Sequence, residues 1–347
     1  MNVSLKITKY LFFFICFVIT AKNYAQLSKI HYIPPITDSG ENSSEPFDQY
    51  IYISTPNTTP VNFTIKQVGL NNDVKGVTIN NTPFVYNIGD GRNTQLFINT
   101  NQTSRVTNNK GFIIEADFPV YVSVRINAGA QAGALVSKGA SALGRTFRVG
   151  AFTNLNPSLN YLNFVSIMAT EDDTDVNFSD INSNTIIEAY NGPETFSINL
   201  NKGESYTIAT NSGLQNANNT DGIIGALIKS NKDIVVNCGS SNGSFGEGNG
   251  RDYGIDQIAG LSKVGHNYIF VRGDGNDNWE NALIIAHLNN TEIRVNGNNT
   301  PIATINAGDH FVLEGNNFIS LGINCFAFMK SLGELIASTA INRFFKR

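Results

Sequence analysis

Four sets of side chains in this 347-residue chain have types and spacings that could do chemistry. The first is Gly239-Ser240-Ser241-Asn242-Gly243, which satisfies Gly-x-Ser-x-Gly after an apolar run and so matches the turn that presents a nucleophilic serine in many hydrolases. That turn needs a helix behind it, and residues 244–253 are Gly-rich with no helical period; no partner histidine and acid can be singled out either. The pattern is read as a coincidence of a Gly/Ser-rich stretch, and no catalytic residue is assigned. The second set is His266, His287 and His310: three imidazoles can hold zinc, but no two stand at the short spacing of a metal site, so they are read as surface or structural residues. The third set is a pair of acidic and amide runs, Glu171-Asp172-Asp173-Thr174-Asp175 and Asp274-Gly275-Asn276-Asp277-Asn278-Trp279-Glu280. Hard oxygen ligands this close together can hold calcium with waters at a rim, although the second run lacks the glycine and glutamate positions of an EF-hand; solvated turns are the alternative. The fourth is Trp279, the sole tryptophan, whose indole can stack on a sugar, anchor a protein contact or plug a joint between modules. Asp172, Asp173, Asp274, Asn276 and Trp279 are therefore the candidate ligand-binding residues, and calcium is the one cofactor these residues could take.

The elements that must position them are strands. Gln49-Tyr-Ile-Tyr-Ile-Ser54, Tyr121-Val-Ser-Val-Arg-Ile126 and Glu292-Ile-Arg-Val295 alternate with period two, and Asn-Gly, Gly-Asp and Asn-Asn turns stand between them. One phrase is written three times: Gly111-Phe-Ile-Ile-Glu-Ala-Asp-Phe-Pro-Val-Tyr-Val-Ser123, Gly225-Ala-Leu-Ile-Lys-Ser-Asn-Lys-Asp-Ile-Val-Val-Asn237 and, more loosely, Phe326-Ala-Phe-Met-Lys-Ser-Leu-Gly-Glu-Leu-Ile-Ala-Ser338. Each copy reads as strand, tight polar turn, strand. A second element precedes each copy, at Pro60-Val-Asn-Phe-Thr-Ile65, Thr174-Asp-Val-Asn-Phe178 and Thr291-Glu-Ile-Arg-Val295, and the unit recurs at roughly 115 residues, too long for a solenoid repeat. Hairpins are expected around Gly203-Glu204 and Gly308-Asp309, with a degenerate first copy near Gly89-Asp90-Gly91. The fold expected is all-β: three tandem related β-sandwich-like modules over residues 26–135, 136–250 and 251–347, packed against one another. Gly-rich stretches at 128–143 and 239–254 read as the linkers. On this plan the runs 171–175 and 273–280 fall at the same end of their modules.

Composition narrows the setting. Lys6 and Lys9, an apolar run over residues 11–21, and Tyr24-Ala25-Gln26 make a secretory signal peptide of residues 1–25, cleaved after Ala25; the run is shorter than a membrane span needs. Only 15% of residues are charged and the formal net charge is -4, so no basic surface is available for nucleic acid or an anionic membrane. Cys238 and Cys325 remain after cleavage and either pair in an oxidising compartment or stay as two buried thiols.

The phrase from Gly225 through Val236, the Gly/Ser-rich loop, and Asp256-Gln-Ile-Ala-Gly-Leu-Ser-Lys-Val-Gly-His-Asn-Tyr-Ile-Phe-Val271 together resemble the N-terminal domain of the IgGFc-binding protein family. Asp233 stands where that family usually has proline, and Ala259-Gly260 replaces another. The resemblance implies a secreted or cell-surface, non-enzymatic module, of the Bacteroidetes type, that recognises an extracellular protein or glycan. It does not carry over immunoglobulin binding. Related domains commonly open long surface proteins with a sorting tail, and this chain stops at Arg347, so a short secreted member and the front of a longer protein both stay open. A hydrolytic enzyme on a β scaffold and a structural stalk of an envelope assembly are the alternatives.

Overall fold

The computed structural model describes residues 26–157, 159–212, 219–245, 251–271, 281–315, 326–332 and 335–338; the signal segment 1–25 and Cys325 lie outside them. The described chain is all-β. In chain order its first strands are β1 (Ser28–Ile33), β2 (Phe47–Ser54), β3 (Val61–Gln67), β4 (Val74–Thr78), β5 (Phe84–Gly89), β6 (Val106–Thr107), β7 (Phe112–Ala128) and β8 (Gln131–Ser137). These continue with β9 (Gly144–Arg148), β10 (Leu162–Ala169), β11 (Thr174–Ser179), β12 (Phe196–Leu200), β13 (Ser205–Asn211), β14 (Leu227–Gly243) and β15 (Asp252–Ile258). The last are β16 (Asn267–Val271), β17 (Ala282–Ala286), β18 (Thr291–Val295), β19 (Ala303–Ile305), β20 (His310–Leu313), β21 (Phe326–Leu332) and β22 (Leu335–Ser338).

Two long strands organise the first two sheets. Along β7 the order is β4-β3-β7-β2-β5, with β1 and β8 also paired to β7; along β14 it is β12-β11-β14-β10-β13-β6, with β9 and β15 also on β14. Every pairing is antiparallel apart from one isolated bridge, Ile36 to Phe97. The repeated phrase is therefore not a hairpin, as its central polar residues suggested. In β7 and β14 its halves run in line and pair with different neighbours: β3 takes residues 112–116 of β7, and β2 takes the half beyond Tyr121. The polar residues form a bulge between them. Ser28 pairs with Val120 and Ile30 with Glu115, so the extra residues of β7, Pro119 among them, have no ladder partner there, which suits a residue without an N–H. On β14 the same shift lies between Lys229 and Ile234. In the third copy β21 pairs with β16 and β18, while β22 pairs with β17.

The expected hairpins at 203–204 and 308–309 are also corrected. β12 pairs with β11 while β13 pairs with β10, and β19 pairs with β18 while β20 pairs with β17, so each turn carries the chain between two groups of strands. The turns are near copies: Gly203 N–H donates to Ala169 O and Gly308 N–H to Ala286 O, both at 2.9 Å, with φ of 82° and 85°. In the first copy the corresponding connection joins β4 to β5, not the Gly89-Asp90-Gly91 stretch. The stretches read as linkers are hairpins too, since β8 pairs back on β7 and β15 back on β14. Both were misread because small residues suit a strand that another strand must approach closely as well as they suit a linker.

Alternating strands bury one face, as in β3 and β18, while β10 is buried at all eight positions. The reason is that β10 serves two cores. Leu162 and Phe164 join Ile51, Phe112 and Val122 of the first sheet, whereas Val165 and Ile167 join Phe147, Phe178 and Val236 of the second. Side chains facing opposite ways along one strand thus join the first two sheets through a shared apolar layer.

Candidate functional site

The structure places the sequence candidates as follows. Ser241 lies within β14, fully buried in register with Leu162, and among the described residues its Oγ has no hydrogen-bond partner. Its neighbour Ser240 donates to Asn163 Oδ1 at 2.5 Å and accepts from Phe152 N–H at 2.9 Å. An interior strand residue cannot serve as an exposed nucleophile elbow. His287 Nδ1 accepts from Arg148 Nε–H at 3.4 Å, His310 is drawn below its usual pKa by burial, and His266 is exposed. Among the described residues no three His, Cys, Asp or Glu side chains gather to hold a metal ion. Among the described residues Cys238 has no disulfide partner, and burial pushes its thiol pKa up to about 12.

Asp172 and Asp173 sit on the turn from β10 to β11, where Asp173 has φ of 54°. Asp172 Oδ1 accepts Lys202 N–H at 2.9 Å, and Asn199 Nδ2 donates to Asp173 Oδ1 at 3.0 Å and Asp175 Oδ1 at 2.8 Å. These carboxylates tie the turn to β12 and the turn that follows it. Asp274, Asn276 and Trp279 lie outside the described residues. The expected equivalence of 171–175 with 273–280 is overturned by element order, because the second run precedes β17 while the first follows β10. The counterpart of 171–175 is the turn from β17 to β18: Thr174 Oγ1 donates to Glu171 O at 2.8 Å, Thr291 Oγ1 to Leu288 O at 2.7 Å, and Asn290 has φ of 56°.

A groove of about 1190 Å³ lies elsewhere, across the outer faces of β2, β7 and β8, walled by β15 and the segment that leads into β16. Its floor follows from strand pairing. Tyr52, Ser123 and Val136 form one row, Tyr50, Arg125 and Ala134 the next, and Asn127 with Ala132 a third. The alternation that buries Ile51 and Ile53 turns both tyrosines outward. Their rings are 6.3 Å apart and tilted by 59°, and the Arg125 guanidinium lies 5.7 Å from the centre of the Tyr52 ring. Asp48, with φ of 47° at a register shift of β2, accepts from Asn127 Nδ2 at 3.3 Å.

Asp252 completes the third row. It is 8% exposed, and its Oδ1 accepts from Ala132 N–H at 2.6 Å and Tyr253 N–H at 3.0 Å. Among the described residues its Oδ2 accepts no hydrogen bond. Burial raises its pKa to about 6, although the two backbone donors pull the other way. The wall is held rigidly against the floor. Gln257 Oε1 accepts from Lys138 N–H at 2.8 Å and from Ser137 Oγ at 3.0 Å, while its Nε2 donates to Tyr32 O at 2.9 Å and Asn237 Oδ1 at 3.1 Å. His31 sits behind Ser137, fully buried, with Nε2 at 3.0 Å from Val120 O and Nδ1 at 3.0 Å from Ser137 Oγ; burial lowers its pKa to about 4. Lys138 Nζ pairs with Asp256 at 2.6 Å, and a Cβ on Gly133 would stand 2.7 Å from Tyr253 Cβ, so glycine permits the close approach of β8 and β15.

Sequence reasoning passed over these residues. Tyr50 and Tyr52 carried a usable signal, two aromatics on the face opposite two isoleucines, but Asp252 stood in a stretch read as linker. No helix among the described residues is long and apolar enough to cross a membrane. No curated protein and no solved structure matches the chain. The family described as IgGFc binding protein matches residues 132–333, from within β8 to the end of β21, which is more than half of the chain. The chain belongs to the IgGFc-binding protein family.

Proposed function

We propose that this chain is a secreted or cell-surface, non-enzymatic module that recognises an extracellular protein or glycan through the groove over β2, β7, β8 and β15. The observation that carries this reading is the groove itself, an open surface of aromatic and charged side chains on hydrogen-bonded strands, in a chain whose family indicates an extracellular binding module. Three tandem β-sandwich-like modules, the first closing with β8 and the second with β15, are the architecture we infer. Support comes from pairing that recurs: Phe63 with Ala116, Val176 with Ser230 and Ile293 with Ser331 occupy matching places in the repeated phrases. Asp172, Asp173, Asp274, Asn276 and Trp279 are the second set of contact candidates; a calcium-dependent rise in melting temperature that Asp172→Ala abolishes would add a metal to that set. The purified chain on an array of extracellular proteins and glycans tests the proposal. Specific capture supports it; hydrolytic turnover abolished by Ser241→Ala or Asp172→Ala would replace it with the enzyme reading.

A further inference from the structure

We propose that the groove is a saccharide site for a neutral oligosaccharide, with Tyr50 stacking on a sugar ring, Arg125 over Tyr52 donating to sugar hydroxyls and Asp252 Oδ2 accepting hydrogen bonds from them. The inference rests on the reading of the chain as a binding module and narrows its ligand.

Three observations carry it. Tyr50 is partly exposed on a strand held by ladders on both sides, so its backbone is set before a ligand arrives, and Tyr52 stands two residues on with Arg125 over its ring. Preset aromatic faces bury area at little cost in side-chain freedom, and a sugar offers C–H faces to match them. Second, Asp252 is largely buried, and among the described residues its Oδ2 at the groove wall accepts no hydrogen bond. That oxygen is open to the groove, so a sugar hydroxyl can donate to an acceptor already held in place by the two backbone bonds to Oδ1.

The third observation is charge. Asp48, Asp252 and Asp256 line the groove with Arg125, Lys138 and Lys263, so acids and bases balance. An anionic ligand would meet the three carboxylates. A cationic one would find the face of Tyr52 already taken by Arg125, and Asp256 already paired with Lys138. What remains complementary is an uncharged polyhydroxyl ligand, which can donate to Asp252 and Asp48 and accept from Arg125 and Asn127.

The test is titration calorimetry of the whole protein with cellohexaose, chitohexaose and mannohexaose, beside a heparin-derived hexasaccharide and hexalysine as charged probes. The expected result is binding of at least one neutral hexasaccharide, weakened tenfold or more by Asp252→Asn and by Tyr50→Ala and unchanged by Val77→Ser on an exposed position outside the groove. Melting curves confirm that each variant is folded. Binding of charged probes alone, or neutral binding that neither groove variant disturbs, overturns the proposal. Should the array identify only protein partners, the saccharide assignment falls while the binding-module reading stands; an array with no capture at all brings down both.

Discussion

Replacing Asp252 with asparagine should stabilise the protein at neutral pH. The carboxyl is displaced from 3.8 to about 6, about two units, and at about 1.36 kcal/mol per unit its ionised form costs about 3 kcal/mol in the folded state. Asparagine keeps an oxygen for the Ala132 and Tyr253 N–H groups, removes the charge, and turns its amide towards the groove. Urea denaturation at pH 7 should then show a gain of up to about 3 kcal/mol. The pH dependence sharpens the argument. A carboxyl raised in the folded state makes stability fall as pH rises from about 4 to about 6, because the folded protein holds the proton more tightly. His31 works in the opposite sense. Its pKa falls from 6.5 to about 4 on folding, so its contribution is complete above about 6.5 and is lost as pH drops towards 4, by roughly 3 kcal/mol. In the natural protein the two largely offset each other across this window. In Asp252→Asn the histidine acts alone, so the variant should be markedly steeper in its loss of stability between pH 6.5 and 4. A variant no more stable than the natural protein at pH 7, or one with an unchanged pH profile, would show that the two backbone hydrogen bonds outweigh the burial of the charge.

Three further outcomes are expected. Gly225→Ala should destabilise the fold by about 3 kcal/mol or more in chemical denaturation, because Gly225 has φ of 83° and an added Cβ would lie 1.8 Å from Gly308 O. Cys238 should resist iodoacetamide in the folded protein at pH 7.5 and react once the chain is unfolded in urea, as peptide mass spectrometry would show, since its buried thiol is held near pKa 12. Ser241→Ala should leave stability unchanged or raise it by roughly 1 kcal/mol, because the hydroxyl it removes is buried without a partner among the described residues; a loss of several kcal/mol would reveal a bond at that oxygen.

The all-β class, the three copies of the repeated phrase and the membership of the family were legible in the chain, because period-two alternation and recurring residue types are local properties. Val61, Thr174 and Thr291 begin strands that pair with the repeated phrases in matching register, and that correspondence could be read from composition and spacing alone. Where each strand finds its partners could not. Nothing in Asp117-Phe-Pro119 distinguishes a turn that folds a strand back from a bulge that passes it on, since both need polar residues and tolerate proline; the choice depends on β1, β2 and β3 arriving from elsewhere in the chain. The same holds for the site. Acidic runs and the single tryptophan drew attention because they are contiguous, whereas the groove joins Tyr50, Arg125, Ala132 and Asp252, residues far apart in sequence that meet only when β8 and β15 are stitched through Gln257. Periodicity decides which face a side chain takes, but a carboxylate buried on one side and open to a groove on the other exists only once the surrounding strands have excluded water from the first side.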